Sequence, residues 1–377
     1  MINNKEDREE RRISKRRKMT KTSRPVEGIH HVTSIASDPQ ININFYVKIL
    51  GLRLVKVTVN FDDPTTYHLY YGDVLGRPGT ILTFFPWSNA PKGRRGNGQV
   101  VATSFLIPEN ATDFWVDRFR HEGIGFTNPS TRFDGEEQVI TFYDPDGLEL
   151  ELVAHKSAKY KNNNIWTNGP VPSQYAIRGF YSVTLAVEGY ERTASVLTKQ
   201  LGFYPTHKEG SRFRYEIMKS GNSNNDNKGN NDDSNEGAGS IVDVLCLPYS
   251  PPGYMGVGTV HHVAWRTPTD KQQIKLRQEI LKHGFNATPV IDRIYFQSVY
   301  FREPGGVLFE IATNPPGFAI DEKPEELGNH LILPPWLEPD RKSLEKILPK
   351  VNLPSSPNTA KAITTTKEEN GIDEKQE

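Results

Sequence analysis

Two pairs of adjacent histidines are the residues of this chain whose type and spacing most favour chemistry. His30 and His31 lie in IHHVTSIA, His261 and His262 lie in TVHHVAW, and 231 positions separate the second members. Glu310 lies in the apolar run VLFEIAT, where a carboxylate is costly unless it is paired, protonated or bound to metal. Two imidazoles and one carboxylate form the facial triad of non-haem iron sites, which leaves coordination positions open.

The two carboxylates that follow similar strand-like runs have different interpretations. Glu310 follows PGGVLF, and Glu151 follows PDGLEL at the matching place of another segment. A salt-bridged structural role is the alternative to metal binding for Glu310. For Glu151 we favour that structural role, because its segment has no histidine at the corresponding position.

The two members of each histidine pair cannot be equivalent ligands. Adjacent residues of a strand point to opposite faces, so only one member of each pair can face a shared site. His31 shares its face with Thr33, and His262 shares its face with Ala264. We treat these second members as the candidate ligands, a choice that rests in part on the resemblance given below.

Four repeated modules position these residues. Each module has a strand-like run, a helical stretch that ends at glycine and further strand-like runs, which gives the pattern βαβββ. The helix-ending glycines are Gly51, Gly123, Gly202 and Gly284. Counting back 20 positions from the first three reaches His31, Thr103 and Ser182, whereas His262 precedes the fourth by 22. The predicted fold class is α+β, with four βαβββ modules forming two paired-module domains.

The placement of the histidines predicts one metal site per chain. If modules 1 and 4 face each other, His31, His262 and Glu310 converge. Modules 2 and 3 cannot rebuild the site, because Thr103 and Ser182 replace the histidines there.

The length predicts two domains with flanking segments. An N-terminal domain over 27–156 would hold modules 1 and 2, and a C-terminal domain over 176–315 would hold modules 3 and 4. A linker over 157–175 would join them, and an extension would cover 316–352. Polar composition predicts disorder in three segments, which are the basic tail 1–25, the Asn-rich loop 220–240 and the tail 353–377.

The composition excludes several classes of function. The 377 residues carry 46 Lys and Arg against 46 Asp and Glu, which gives no reason to expect nucleic acid as a partner. No apolar run approaches the roughly 18 residues that span a bilayer, and no N-terminal apolar segment predicts a secretory signal. The one cysteine, Cys246, cannot form an intramolecular disulfide. We therefore expect a cytoplasmic protein without a membrane partner, and a homo-oligomer is compatible with the sequence.

Several stretches together resemble the vicinal oxygen chelate superfamily. They cover nearly the whole chain between residues 28 and 330, and they are HHVTSIA, FYVKILGLRLVK, YHLYYGD, GRPGTILTFFP, GRRGNGQ, HHVAW and YFREPGGVLFEIAT. The resemblance is strongest to the para-hydroquinone ring-cleaving dioxygenases, which include the 2,6-dichlorohydroquinone 1,2-dioxygenases. It implies an Fe(II) cofactor, with Mn or Zn as alternatives, O2 as co-substrate and a small aromatic substrate.

The resemblance also implies roles for individual residues. The family's metal ligands fall on His31, His262 and Glu310. Its other active-site residues, which would move protons or stabilise anionic oxygen, fall on His30, Thr33, His261, Arg293 and Tyr300. The chain departs from some relatives at Ile294, where they have glycine, which leaves the size of the substrate open. His68 in TYHLYYGD is interpreted as a core or pocket-wall residue.

Two other functions share the same fold. A glyoxalase-like lyase or isomerase would use Zn or Ni and usually four protein ligands, which modules 2 and 3 do not supply. A non-enzymatic resistance protein that binds a small molecule would need no metal, and the complete triad weighs against it.

Overall fold

The computed structural model describes residues 25–160, 164–217 and 239–354. Among the segments predicted to be disordered, the tail 1–25 lies outside these residues except for Pro25. The loop 220–240 lies outside them except for its last two positions, and the tail 353–377 except for its first two. The predictions for these segments are therefore not tested.

The described residues form sixteen strands in four groups of four. Module 1 has β1 (Ile29–Ala36), β2 (Arg53–Asn60), β3 (Asp63–Gly72) and β4 (Ile81–Pro86). Module 2 has β5 (Gln99–Ile107), β6 (Ser130–Arg132), β7 (Glu137–Tyr143) and β8 (Glu149–Ala154). Module 3 has β9 (Phe180–Val187), β10 (Tyr204–Glu209), β11 (Arg212–Glu216) and β12 (Ile241–Cys246). Module 4 has β13 (Thr259–Thr267), β14 (Ile291–Asp292), β15 (Gln297–Arg302) and β16 (Leu308–Thr313).

One helix follows the first strand of each module, and one more lies in the C-terminal extension. They are α1 (Pro39–Ile43), which continues as a π-helix over Asn44–Ile49, α2 (Thr112–His121), α3 (Tyr190–Ser195), which continues as a π-helix over Val196–Gln200, α4 (Asp270–Lys282) and α5 (Arg341–Ile347). Asp38 caps α1, because its Oδ1 accepts from the Ile41 N–H at 2.8 Å. No helix within the described ranges is long and apolar enough to cross a membrane.

The sixteen strands form two eight-stranded sheets that combine modules from opposite halves of the chain. The 1/4 sheet has the order β14-β15-β16-β13-β1-β4-β3-β2, and the 2/3 sheet has the order β10-β11-β12-β9-β5-β8-β7-β6. The first strand of each module would otherwise be an unpaired edge, and antiparallel pairing of β1 with β13 and of β5 with β9 removes that edge. The α+β class and the paired modules are confirmed. The domain bounds 27–156 and 176–315 stay a prediction, and neither corresponds to one sheet.

The two sheets have the same register where their modules meet. The pairs Thr33–His262 and His31–Ala264 in the 1/4 sheet match Thr184–Ala102 and Ser182–Ser104 in the 2/3 sheet. Ser182 is therefore equivalent to His31, as predicted, but the equivalent of His262 is Ala102 rather than Thr103. The count was wrong because 21 positions separate Ala102 from Gly123, whereas 20 separate His31 from Gly51.

One hydrophobic core joins the helix-facing sides of both sheets. The ring of Phe45 lies 6.5 Å from that of Phe142 in β7, and Phe203 lies 5.4 Å from Trp265 in β13. Burying such a side chain contributes about 1.5–3 kcal/mol. Consecutive modules therefore pack against each other through residues in or just after their helices.

The extension after β16 covers part of the polar side of the 1/4 sheet. Lys56 is fully buried there, and its Nζ contacts Glu322 and lies 2.6 Å from Oδ1 of Asp321. The Tyr295 hydroxyl donates to Oδ2 of Asp321 at 3.0 Å. Phe318 packs against Tyr295 with 5.0 Å between ring centres. A buried ion pair and two aromatic rings thus hold the extension against the 1/4 sheet.

Candidate metal centre

Three adjacent strands bring His31, His262 and Glu310 together. Their ligand atoms lie within 4.8 Å of one another. Nε2 of His31 lies 3.2 Å from Nε2 of His262, and Oε2 of Glu310 lies 3.2 Å from the first nitrogen and 2.9 Å from the second. The order β16-β13-β1 places the three side chains on one face. This is the convergence that the pairing of modules 1 and 4 predicted.

The chemistry of these side chains fits a divalent metal ion. Glu310 is fully buried, and its Oε1 accepts from the Ser298 hydroxyl at 2.6 Å. Its Oε2 accepts no hydrogen bond from any group that the structure describes. Burial would raise the pKa of Glu310, but His31 and His262 outweigh burial and hold this pKa well below its usual range. A buried anionic oxygen without a donor is costly, and a cation held by the three ligands would remove that cost.

His30 fixes which nitrogen of His31 faces the site. The Thr313 carbonyl can only accept, so Nε2 of His30 carries the proton of their 3.1 Å hydrogen bond. Burial and the neighbouring His31 lower the pKa of His30 well below its usual value, so its ring is neutral and its Nδ1 accepts. Nδ1–H of His31 therefore donates across 2.9 Å to His30, which leaves Nε2 of His31 with a free lone pair.

His261 makes the same contact in module 4 but has different surroundings. Its Nδ1 lies 2.7 Å from Nδ1 of His262. Its ring is partly exposed and packs edge-on against Phe85 and Trp87, with 5.8 and 6.1 Å between ring centres. Burial, followed by His262, lowers the pKa of His261 to about 3, so the ring is neutral near pH 7. The Thr313 carbonyl holds His30 of the first pair, whereas His261 of the second pair is partly exposed to solvent.

The structure places Tyr300 and Arg293 beside the three ligands. Tyr300 pairs with Glu310 across β15 and β16, and its ring lies 5.6 Å from that of His262. The Arg293 guanidinium lies 5.7 Å from the centre of the Tyr300 ring and donates to Oδ2 of Asp62 at 2.8 Å. Burial raises the pKa of Tyr300, so its hydroxyl keeps its proton.

Ile294 has an unusual backbone conformation next to Arg293. Its φ is +68°, in the left-handed region that a β-branched residue rarely adopts. Its N–H donates to Oδ1 of Asp292 at 2.7 Å, which holds the turn. The side chain packs against an apolar cluster that includes Tyr295 and Phe296. A side chain thus occupies space that glycine would leave open.

Thr33 lies on the ligand face and is linked to three residues that sequence reasoning did not place at the site. Its Oγ1 lies 3.2 Å from Oγ1 of Thr83, which lies 2.7 Å from Nε2 of His68. Nδ1 of His68 lies 2.8 Å from the Tyr70 hydroxyl. The period of two in YHLY puts His68 and Tyr70 on one face, but the sequence did not reveal which strands separate them from β1.

Aromatic rings line the space around the ligands. Phe296 lies 4.9 Å from the ring of His30 and 5.0 Å from that of His31. His68 lies 4.4 Å from Phe85, which also contacts the second histidine pair. Flat apolar walls with a few polar groups suit a planar aromatic molecule.

The 2/3 sheet carries Glu151 where the 1/4 sheet carries Glu310. The Ser104 hydroxyl donates to Oε2 of Glu151 at 2.6 Å, and the Arg132 guanidinium donates to both of its oxygens. Burial would raise the pKa of Glu151, but Arg132 outweighs burial and lowers it. The predicted structural role of Glu151 is confirmed. Within the described ranges, one cluster of three or more possible metal ligands is present, and it consists of His31, His262 and Glu310.

Comparisons with known proteins identify the relatives of this chain. The profile of the Glyoxalase/Bleomycin resistance protein/Dioxygenase superfamily matches residues 28–152 and 179–311. The Bacillus subtilis (strain 168) protein named "Putative ring-cleaving dioxygenase MhqO" is 45% identical over 321 residues, which are 85% of this chain and 95% of that protein. The Sphingobium indicum protein named "Chlorohydroquinone/hydroquinone 1,2-dioxygenase" is 32% identical over 321 residues, which are 83% of this chain and 93% of that protein.

A solved structure agrees with these relatives. The crystal structure of a protein described as a putative dioxygenase from Bacillus subtilis has 44% identity and a TM-score of 0.78, and the match covers 88% of this chain and 99% of that chain. The resemblance predicted from the sequence motifs is confirmed. The chain therefore belongs to the glyoxalase/bleomycin resistance protein/dioxygenase superfamily, on its ring-cleaving dioxygenase branch.

Proposed function

We propose that this protein is an Fe(II)-dependent dioxygenase that inserts O2 into the ring of a hydroquinone-type compound. The observation that carries the proposal is the convergence of His31, His262 and Glu310 on one buried point. The name of the Sphingobium indicum relative supports the substrate class. The three-ligand set favours Fe(II) over the four-ligand zinc sites of glyoxalase-like lyases, with Mn and Zn as the alternatives to test.

The metal would be held by Nε2 of His31, Nε2 of His262 and Oε2 of Glu310. Fe(II), when bound, supplies open coordination positions for a substrate hydroxyl and O2 and the electronic contact between them. Both oxygen atoms enter the product, and the bond between the hydroxyl-bearing carbon and its neighbour breaks. The remaining steps fall to the chain's own side chains.

Those side chains orient the ring and handle charge and protons. The ring of Phe296 packs against both members of the first histidine pair. It would restrict how the aromatic ring of the substrate is oriented in the pocket. His261 is neutral and partly exposed, so it can exchange a substrate proton with solvent. The Tyr300 hydroxyl keeps its proton and can donate it to an anionic oxygen, and the Arg293 guanidinium beside it favours that negative charge.

Oxygen consumption tests the proposal directly. The full chain is purified anaerobically, loaded with Fe(II), Mn(II) or Zn(II), and supplied with hydroquinone, methylhydroquinone or catechol in an oxygen electrode. We expect uptake with Fe(II) and a hydroquinone, one O2 for each ring opened, and none in the metal-free protein. No uptake with any aromatic compound, together with turnover of a glutathione hemithioacetal, would assign the site to a glyoxalase-like lyase.

The partners follow from the same proposal. The partners are a small aromatic molecule and O2. The cytoplasmic location and a homo-oligomer stay predictions, and light scattering on the purified full chain tests the second.

A further inference from the structure

We propose that His68 is a positioning residue of this site, which fixes a chain of hydrogen bonds ending at the Thr33 hydroxyl. The chain runs from Tyr70 through His68 and Thr83 to Thr33, and each member donates to the next. The result is a hydroxyl whose own proton is directed at an oxygen held in the metal centre. This inference rests on the proposed function and adds three residues, Tyr70, His68 and Thr83, to its site.

Strand register explains why these four side chains meet. Tyr70 pairs with Thr83 across β3 and β4, and Thr83 pairs with Thr33 across β4 and β1. Thr33 in turn pairs with His262 across β1 and β13. Because directly paired residues point to the same side, the row leads from Tyr70 to a metal ligand along one face. His68 lies two positions before Tyr70 and shares that face.

Tyr70 sets the direction in which the hydrogen bonds of this series are donated. Its side chain is buried in an apolar cluster that includes Tyr295 and Phe318. Burial raises its pKa well above the usual value, so it keeps its proton. Nδ1 of His68, at 2.8 Å, is the acceptor that the described residues offer to this hydroxyl. In the opposite direction the buried phenolic proton would lose this acceptor, which is costly.

His68 determines the direction of the hydrogen bonds to the two threonines. Burial, followed by His31 and His262, lowers the pKa of His68 well below its usual value, so its ring is neutral. With Nδ1 accepting, Nε2 carries the proton and donates to Thr83 at 2.7 Å. The Thr83 hydroxyl then donates to Thr33 at 3.2 Å. The hydroxyl hydrogen of Thr33 is not used within this series of hydrogen bonds, so it can be donated to a group in the site.

Loss of this series of hydrogen bonds frees the orientation of the Thr33 hydroxyl and leaves the metal ligands in place. Without His68, the two threonine hydroxyls can rotate, and the Thr33 oxygen can point its lone pairs at a developing anion. We expect this to reduce kcat on the order of tenfold, which corresponds to one hydrogen bond in the transition state. In Thr83→Val, which breaks the same hydrogen bonds but keeps the His68 ring, anaerobic binding of hydroquinone should change by less than about twofold, because the aromatic walls are intact.

Two valine substitutions separate the positioning role from a general structural role. Thr83→Val keeps the shape and cuts the link between His68 and Thr33. Thr58→Val is the matched control, since Thr58 pairs with His68 on the neighbouring strand and its buried hydroxyl makes no hydrogen bond to the described groups. Thr83→Val should lose kcat and Thr58→Val should not. Tyr70→Phe, which removes the first donor, should lose kcat in the same direction. Equal kcat in all three variants and the wild type contradicts the inference.

A second readout does not depend on turnover. Nitrogen NMR of the metal-free full chain, labelled with 15N-histidine and assigned with His68→Gln, reports the tautomer of His68. We expect a neutral ring protonated at Nε2. A ring protonated at Nδ1 in an otherwise active protein would overturn this inference alone, whereas a wild-type protein that consumes no O2 would contradict the proposed function.

Discussion

The 1/4 sheet and the 2/3 sheet place a glutamate at the same point but surround it with different neighbours. Glu310 and Glu151 each lie in the last strand of a module, and each accepts a serine hydroxyl at 2.6 Å. Two imidazoles face Glu310, whereas the Arg132 guanidinium takes both oxygens of Glu151. The difference shows that the neighbours, and not the strand position, decide whether a buried carboxylate is free to bind metal.

The rest of the 2/3 sheet extends this contrast. Arg214 contacts Glu137 and Asp243, and Arg212 lies 3.0 Å from Asp243. Arg214 and Asp243 are almost fully buried. Among the residues that the structure describes, the buried charges of this sheet therefore pair with one another, while Oε2 of Glu310 in the 1/4 sheet has no donor.

The largest effect that the contrast predicts is on iron retention. Glu310→Gln removes the charged ligand and should weaken Fe(II) binding by more than about 100-fold, beyond the loss caused by changing an outer partner of a ligand. Glu151→Gln makes the same change at the equivalent point and should leave Fe(II) binding intact. Iron per chain after gel filtration measures both, and equal iron content in the two variants would contradict the assignment.

The next effect is on stability and should appear in the other sheet. Arg214→Met leaves Glu137 and Asp243 buried without their shared cation, which should lower the free energy of unfolding by about 3–5 kcal/mol. Urea unfolding of the metal-free protein measures the loss. Fe(II) affinity of the protein that remains folded should match the wild type, because Arg214 contacts none of the three ligands.

The two histidine pairs sharpen the comparison within the 1/4 sheet. His30→Phe removes the group that fixes the tautomer of His31, and we expect Fe(II) affinity to fall by about 10- to 100-fold. His261→Phe should cost less affinity, because no backbone carbonyl holds His261 in place. Chelator competition gives both affinities, and a larger loss for His261→Phe would reverse our interpretation of the pairs.

The smallest effect is a change in how stability depends on pH. The pKa of Glu151 is lowered in the folded protein, so its ionised form stabilises the fold above the ordinary value of about 4.3, and this contribution is lost as pH falls. In Arg132→Met the buried carboxyl of Glu151 loses its paired cation, so we expect burial to dominate and raise its pKa, and stability should then increase as pH falls through that range. Urea midpoints of both proteins at a series of acidic pH values reveal the sign of each slope.

The sequence predicted the convergence of His31, His262 and Glu310 because the signal of these residues is local. The repeated pairs ending at His31 and His262, and the isolated charge of Glu310, can be recognised without knowing the strand order. The fold class followed from the repeat of strand and helix patterns. Glu151 was also interpreted correctly, since its module lacks a histidine.

The features that the sequence did not reveal depend on pairing between segments that lie far apart in the sequence. Thr103 was placed one position away from the true equivalent, Ala102, because the span to the helix-ending glycine varies in length. His68 had no assigned partner, because its neighbours Tyr70 and Thr83 become neighbours only when β3 and β4 pair. The pairing of modules 1 and 4 was a condition in the sequence argument and became visible only in the sheet order.

The pairing of β1 with β13 also determines when the proposed metal site can form during synthesis of the chain. At about 5–20 residues per second, the ribosome needs roughly 10–50 s to add the residues between His31 and His262. During that time the nascent chain holds a single ligand and an unpaired strand edge at β1. A site built from all three side chains can therefore form only after module 4 has been made, and until then the edge of β1 is open to pairing with other chains.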